Sequence, residues 1–596
     1  MNMTITKSKF IEYKRCKRFS ALNDLYKRKD LDDAAKDKLY DLLDSMENAE
    51  DLLEDDLTSP DLEHLEIMMP YFNEIEVLNA RKVIRHFGGE TKYGTSYGSQ
   101  KLFIRDYKHY NLNCYVDIYN RNEESINIVE VKATTTNKFM SLSYKENKVE
   151  YFLFSRDEDN ILHLNEEYDP SLLSNKGYIK QRKKLFDPYN AAGAYVYDLA
   201  FQRFIIEEDI KDAKYYLGVV NHEYVFDGQY VDGKPVYDQE IAALIDVTKI
   251  TEELQEVIQQ ELDQVIDYME KEDTSRVPLG KHCQLKKMRE CIFKDLCYDK
   301  LPKKNSILMY LDRHHGFKDE DTGDKYELYD LLNDGYTSME DVPHAWLNRK
   351  NNQIQRDVAL THKPYIDYAK IRSAIETIKY PIYHLDFESF PCPLPRFRGE
   401  TAYTQSLFQF SLHIEREPGV CDKEKDHIEF LAEDEHDNRE KLVAKLCQAI
   451  KADGGSIMVY NQAFEKTRIK ELAELFPTYK DQLLEMNERL FDLMHVVKTN
   501  TQMFVGLGFD KERAKTINYY HEDLLGSFSI KKVLPLFSNL TYQGMPVSNG
   551  MEAVYAYARY KDLSKTELEI TRRDLTEYCK QDTWAMVEIL EQLRKI

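Results

Sequence analysis

The stretch Ile382-Tyr383-His384-Leu385-Asp386-Phe387-Glu388-Ser389 reads as a buried strand. Apolar residues lead into it, and Pro391, Pro393 and Pro395 stop it, as proline does when it withholds a backbone donor. Asp386 and Glu388 are two residues apart, so a strand turns both to one face. Side-by-side carboxylates repel unless a cation lies between them, and carboxylate oxygens suit Mg²⁺ or Mn²⁺. A bare D-x-E is also compatible with two solvated acids.

Working outward, Ser456 to Tyr460 is a strand candidate running into Asn461-Gln462-Ala463-Phe464-Glu465, which opens a helix expected from Lys466 to Leu475. Asp574 to Leu593 reads as one late helix on which Tyr578 and Asp582, at i and i+4, share a face. The order of D-x-E, N-x-x-F-acid and Y-x-x-x-D resembles the tyrosine branch of the DEDD 3′–5′ exonucleases. Phe491-Asp492-Leu493 and Ser529-Ile530-Lys531-Lys532-Val533-Leu534 resemble that family's intervening strand and "SLK-x-L" helix. The resemblance covers residues 379–596. It implies an RNase H-like fold in which Asp386, Glu388, Glu465 and Asp582 hold two divalent ions and Tyr578 orients the attacking water. Glu465 stands where the family usually carries Asp.

At 596 residues the chain allows three or four domains at about 150 residues each. It holds 82 Lys and Arg against 105 Asp and Glu, a net charge of −23, so it is no general polyanion binder. Nucleic acid would have to be met by local patches and by metals. Candidate patches are Lys7, Lys9, Lys14, Arg15, Lys17 and Arg18, and Lys180, Arg182, Lys183 and Lys184, though such runs are more often a solvated face. No apolar run approaches the roughly 18 residues of a membrane span, and Met1 to Lys9 lacks a signal-peptide core. A cytoplasmic location is expected.

Residues 31–66 read as acidic and helical, and Met68 to His86 as a helix closed by Gly88-Gly89. Three strand candidates follow, at 101–105, 114–119 and 126–132. They carry Asp117 and then Glu130-Val131-Lys132, with Glu130 and Lys132 on one face. Phosphodiester hydrolysis needs acids for a metal and a cation near the phosphorane. This arrangement resembles the PD-(D/E)XK nuclease core. Gln202, in a segment Ala194 to Ile206 read as strand then helix, resembles the glutamine of its RecB-like branch. The aromatic usually found four residues on is Ile206 here.

Three of nine cysteines cluster as Cys283, Cys291 and Cys297, after a helix expected from Thr251 to Glu272. With Cys16 near the start, they resemble the iron–sulfur-stapled RecB-like nucleases, which include AddB-type helicase–nucleases and CRISPR-associated adaptation exonucleases. That resemblance implies a [4Fe–4S] cluster on Cys16, Cys283, Cys291 and Cys297. The residues alone also fit zinc, with His282 replacing one thiol as a variant. The other cysteines, at 114, 392, 421, 447 and 579, read as small buried hydrophobes.

The expected architecture is α/β. Residues 1–300 form a PD-(D/E)XK mixed-sheet domain with a cysteine staple. Residues 301–378 form a helical connector, readable as a helix-hairpin-helix, with helices at 305–314 and 324–333 and a short one at 337–342. Residues 379–596 form an RNase H-like domain. The whole resembles an uncharacterised bacterial family fusing the two nuclease types. It implies a metal-dependent nuclease acting on DNA. The alternatives are an RNA-trimming enzyme with an N-terminal nucleic-acid clamp, and a non-catalytic scaffold.

Overall fold

The computed structural model describes residues 3–26, 62–94, 98–283, 291–311 and 317–596. Most of the acidic stretch at 31–66 and part of the helix expected at 305–314 lie outside the described residues. The chain is mixed α/β, and two principal sheets organise it.

The N-terminal elements in chain order are β1 (Met3–Ile5), α1 (Lys7–Tyr13), α2 (Lys17–Tyr26), α3 (Leu62–Phe87), β2 (Glu90–Tyr93), β3 (Lys101–Tyr107), β4 (Tyr110–Val116), β5 (Ile118–Arg121) and β6 (Ile126–Thr135). There follow β7 (Phe154–Arg156), β8 (Ile161–Leu164), α4 (Ala191–Ile206), β9 (Ala213–Val220), β10 (Ala242–Asp246) and α5 (Gln255–Lys271). Strands β1, β4 and β3 form a small sheet, and the order β2-β5-β6-β9-β10-β8-β7 forms a mixed seven-stranded one. Helix α3 ends as its sequence suggests: Gly88 takes φ +62° and its N–H reaches Ile84 O at 3.0 Å.

Five sequence readings need correction here. The strand expected at 114–119 is two strands in two sheets, broken at Asp117, whose carboxylate takes the Val131 N–H (2.8 Å) and Gln100 Nε2 (2.8 Å). The segment from Ala194 is helical throughout, because Asn190 caps the helix at Ala192 N. The helix expected from Thr251 to Glu272 is interrupted at Leu254 between Thr248–Glu253 and α5. In the connector, helix Leu328–Asn333 is present, but only a 3₁₀ turn, Ile307–Met309, occupies 305–311. No second helix forms at 337–342, since the Asp341 carboxylate takes the Thr337 and Ser338 N–H groups and folds a turn instead. The helix-hairpin-helix is therefore absent from these described residues.

The C-terminal elements are β11 (Ile382–Pro391), β12 (Gln405–Glu415), β13 (His427–Leu431), β14 (Ile457–Val459), α6 (Ala463–Leu475), β15 (Leu490–Asp492), α7 (Ile530–Phe537), α8 (Gly550–Ala558) and α9 (Lys565–Leu593). The sheet order is β13-β12-β11-β14-β15, antiparallel across the first three strands and parallel across the last three. Helix α9 begins nine residues before Asp574, at a capping box of Ser564 and Glu567.

A continuous apolar core joins the two halves. It includes Phe72 and Ile75 of α3, Val129 of β6, Phe390 of β11 and Tyr557 of α8. Tyr71 meets Phe390 edge-on with centroids 6.0 Å apart. The loop after β11 is hydrogen-bonded to the N-terminal half through Phe226 N to Glu400 O and Gly399 N to Phe226 O, both 2.9 Å.

Candidate functional site

Asp386 and Glu388 lie next to a β-bulge between Glu388 and Ser389, a local irregularity of the kind that re-aims side chains. Helix α9 packs across β11 and β12, and Gln409 Nε2 fixes it by donating to Leu575 O at 3.0 Å. A cavity of about 130 Å³ is lined by Asp386, Glu388, Glu465, Lys531, Tyr578 and Asp582. The three motifs thus meet in one place. Four carboxylates and one ammonium are the charged groups among these described lining residues, a surplus of negative charge suited to hard divalent cations.

The sequence reading missed Cys579. Its thiol is fully buried and donates to Asp386 Oδ2 at 3.5 Å. Ligand atoms of Asp386, Glu388 and Cys579 all lie within 4.8 Å of one another. Burial pushes the thiol up, and Asp386, Glu388 and Asp582 push it further. Tyr542 was missed too: its hydroxyl donates to Asp582 Oδ1 at 2.6 Å.

Glu465 is 3% exposed in the first turn of α6. The turn before it is held from β15. Asp492 accepts the N–H groups of Asn461 (3.0 Å) and Gln462 (3.1 Å), and Asn461 takes φ +68°. That left-handed conformation is one Asn tolerates better than most residues. Asp492 is thus a positioning residue for Glu465.

In the N-terminal half, Glu130 and Lys132 are each 3% exposed on β6. Lys132 Nζ is 3.1 Å from Glu130 Oε1 and 3.8 Å from Asp198 Oδ2. Gln202 Nε2 donates to Glu130 Oε2 at 2.7 Å. A partner not expected from the sequence is Lys7 of α1, whose Nζ lies 2.9 Å from Glu130 Oε1. Burial pushes the Glu130 carboxyl up, but Lys7, Lys132 and Gln202 override it and hold it well below the usual carboxylate range. Asp117 adjoins this group through the Val131 N–H. Glu130, Lys132 and Gln202 are thus in direct contact, and Asp117 reaches the same strand through the Val131 backbone.

Several other members of the first basic patch are also engaged internally. Lys14 binds Glu261 (3.4 Å), Lys17 binds Asp273 (2.5 Å) and Arg18 Nη1 reaches Cys297 Sγ at 3.3 Å. These contacts tie α1 and α2 to α5 and bring Cys16 to the late cysteines. Burial pushes the Cys283 thiol up to about 11, with Cys16, Cys291 and Cys297 adding to the shift. Phe19 N donates to Cys16 Sγ at 3.3 Å, and His282 sits next to Cys283 with its Nε2 buried. Yet among the described residues no three of these sulfurs fall within 4.8 Å of each other.

No helix of the described residues is long and apolar enough to cross a membrane. Residues 383–529 match a domain of unknown function, DUF2779. The chain is 26% identical over 276 residues to the uncharacterized protein UU173 of Ureaplasma parvum, covering 41% of this chain and 34% of that protein. It is 26% identical over 239 residues to the uncharacterized protein MG366 of Mycoplasma genitalium, covering 37% and 33%. A homologue of MG366 in Mycoplasma pneumoniae is 27% identical over 240 residues, again covering 37% and 33%. The matched stretch thus spans about a third of each relative's length. No solved structure matches the chain.

Proposed function

We propose that the protein is a metal-dependent nuclease that trims nucleic acid, DNA in the first place, from its 3′ end. The observation that carries this reading is the meeting of Asp386, Glu388, Glu465, Tyr578 and Asp582, from three separate segments, around one cavity. The mixed five-stranded sheet beneath them agrees with the RNase H-like fold that the motif order implies. Mg²⁺ or Mn²⁺ held by the four carboxylates would activate water and offset charge on the phosphate. Tyr578, 4% exposed and on the same helical face as Asp582, would orient that water, and Lys531 would add a positive charge for the phosphate.

The second half of the proposal concerns residues 1–300. Asp117, Glu130, Lys132 and Gln202 would form a PD-(D/E)XK site, while Cys16, Cys283, Cys291 and Cys297 would hold a [4Fe–4S] cluster, with Arg18 offsetting thiolate charge. The Lys7–Glu130 ion pair favours a second reading, in which this domain clamps nucleic acid and does not cut it. Glu130 is already neutralised by two ammonium groups, so a metal there would have to displace Lys7.

The test is hydrolysis of single- and double-stranded DNA and RNA, labelled at either end, with Mg²⁺ and with Mn²⁺. Shortening from the 3′ end by the wild-type protein and none by Asp386→Ala is expected. No hydrolysis of any substrate, or equal hydrolysis by Asp386→Ala, overturns the reading.

A further inference from the structure

A larger cavity, about 600 Å³, lies between the two domains and belongs to neither acid cluster. One side is the end of β6. Thr135 lines it, three residues past Lys132 and so about 10 Å further along the strand. The other side is the segment Thr401 to Gln405. Gln405 also lines the carboxylate cavity, and its Oε1 accepts the Ser389 hydroxyl at 2.7 Å, one residue past Glu388. The end of β6 therefore borders this space, and Gln405, the first residue of β12, borders both this space and the Asp386 cavity.

Its charge differs from that of the chain as a whole. Lys138, Lys184 and Arg468 line it, and the one acidic residue among the described lining, Glu471, is bound to Arg468 at 2.8 Å. Lys138 Nζ is 3.2 Å from the Tyr195 hydroxyl, and the Tyr195 ring lies 5.9 Å from Lys132 Nζ, so one tyrosine spans the cavity and the Glu130 cluster. Lys184 is held against the start of α4 by Gly193, where a Cβ would stand 2.3 Å from Lys184 O. Thr, Ser and Asn supply six of the remaining lining residues, and the apolar ones are Leu142 and three alanines. Such a surface suits phosphates and base edges, unlike the apolar lining of most small-molecule pockets. A volume of about 600 Å³ is that of a site for one drug-sized molecule, room for a short piece of single strand and too little for a double helix.

We propose that this cavity binds one single strand of nucleic acid and delivers its end to the Asp386 site. The inference rests on the nuclease reading and adds the path by which substrate arrives. The test measures anisotropy of fluorescein-labelled oligo(dT) and oligo(U) with full-length protein in EDTA, so that no cleavage is needed. Lys138→Glu/Lys184→Glu, checked by its melting curve, is expected to weaken binding about tenfold or more. The slope of log K against log salt should fall by about 1.4, given about 0.7 per phosphate contact on a single strand. Lys138→Arg/Lys184→Arg should bind nearly as wild type, and Lys184→Glu alone replaces the double variant if that one fails to fold. Equal affinity of folded charge-reversed and wild-type protein overturns the proposal, as does wild-type protein that binds neither oligomer. The two oligomers tell DNA from RNA. Hydrolysis of the p-nitrophenyl ester of thymidine 5′-monophosphate with Mn²⁺, read on wild-type protein, reports on the Asp386 site without needing the cavity. Ester hydrolysis with unaltered oligomer binding in the charge-reversed variant overturns the strand path alone. Oligomer binding that depends on Lys138 and Lys184, without ester or oligomer hydrolysis, overturns the nuclease reading alone.

Discussion

The Tyr403 hydroxyl donates to the Ala133 carbonyl at 2.5 Å, joining residues 270 positions apart. Ala133 follows Lys132, and Tyr403 lies two residues before Gln405, which contacts Ser389 beside Glu388. Two hydrogen bonds and a few peptide units thus connect the two acid clusters. The bond exists because the β6–β9 ladder is irregular here: Val131 pairs with Gly218, and Thr135 with Val220. Tyr403 itself takes φ +59°, a conformation that tertiary contacts must hold in a non-glycine residue.

Tyr403→Phe keeps the ring and removes this donor. A buried carbonyl left without its partner costs about 1–3 kcal/mol. Denaturant unfolding followed by fluorescence is expected to show that loss, together with a broader transition as the domains uncouple. A variant as stable and as cooperative as wild type would show that the bond contributes nothing to coupling.

Asp386→Ala and Asp582→Ala should each abolish 3′-end trimming while the chain stays folded. Without metal, each removes one member of a repelling carboxylate group, so the melting temperature in EDTA is expected to stay equal or rise. Trimming that persists in either variant would refute the assignment of the site.

Tyr578→Phe should lower trimming on the order of 10²-fold, the scale for a group that positions a proton in transit. Lys132→Ala should remove only products of the N-terminal site. If Lys132→Ala leaves every product band and Asp386→Ala removes them all, the N-terminal half is a clamp.

Anaerobically purified protein is expected to be brown, with thiolate-to-iron absorbance near ~400 nm. Cys297→Ala should bleach it and lower protease resistance of residues 1–300 more than that of 379–596, because the ligands close a very long loop. Colourless wild-type protein with stoichiometric zinc would replace the cluster by zinc.

Stability should fall with acid from about pH 6.5 downward. Burial pushes His413 down to about 3, and burial followed by Lys580 pushes His427 down to about 4. Unfolded, both imidazoles bind protons near pH 6.5, so between these values the unfolded state holds more protons and folding weakens as pH drops. The effect is on the order of 2 kcal/mol for each imidazole by pH 5. Glu415 adds to it only below about pH 4.5: burial raises its carboxyl, but His384 and Arg594 hold it at about 2. Melting curves across this range provide the check. His413→Asn should flatten the upper part of the profile, and an unchanged profile would exclude His413 as a contributor.

The Asp386 site was legible because each motif sits on an element with its own local signal: an apolar strand stopped by prolines, a strand entering a helix, and an i, i+4 pair. Order along the chain then supplied the grouping. The same holds for Glu130, Lys132 and Gln202. Lys7 was taken for a surface charge because its partner is 123 residues away and nothing near it predicts burial. Cys579 read as a small hydrophobe because burial and proximity to carboxylates leave the same mark in a sequence. The strand expected at 114–119 was continuous in hydrophobic pattern, and only the bonds of Asp117 to Gln100 and Val131 reveal the break. The turn at Thr337 was hidden by helix-compatible residues, where one aspartate side chain competes with the helix for backbone N–H groups.

The contact of Arg18 with Cys297 spans 279 residues. During synthesis at roughly 5–20 residues per second, Cys16 is therefore made about 15–55 s before Cys297. Strand β1 likewise waits for β4, and α1 and α2 wait for α5. The beginning of the chain is thus among the last parts of its domain to find a place. For that interval the Cys16 thiol and the two helices around it lack the partners that later cover them, so the newly made N-terminus is the stretch most open to oxidants and proteases.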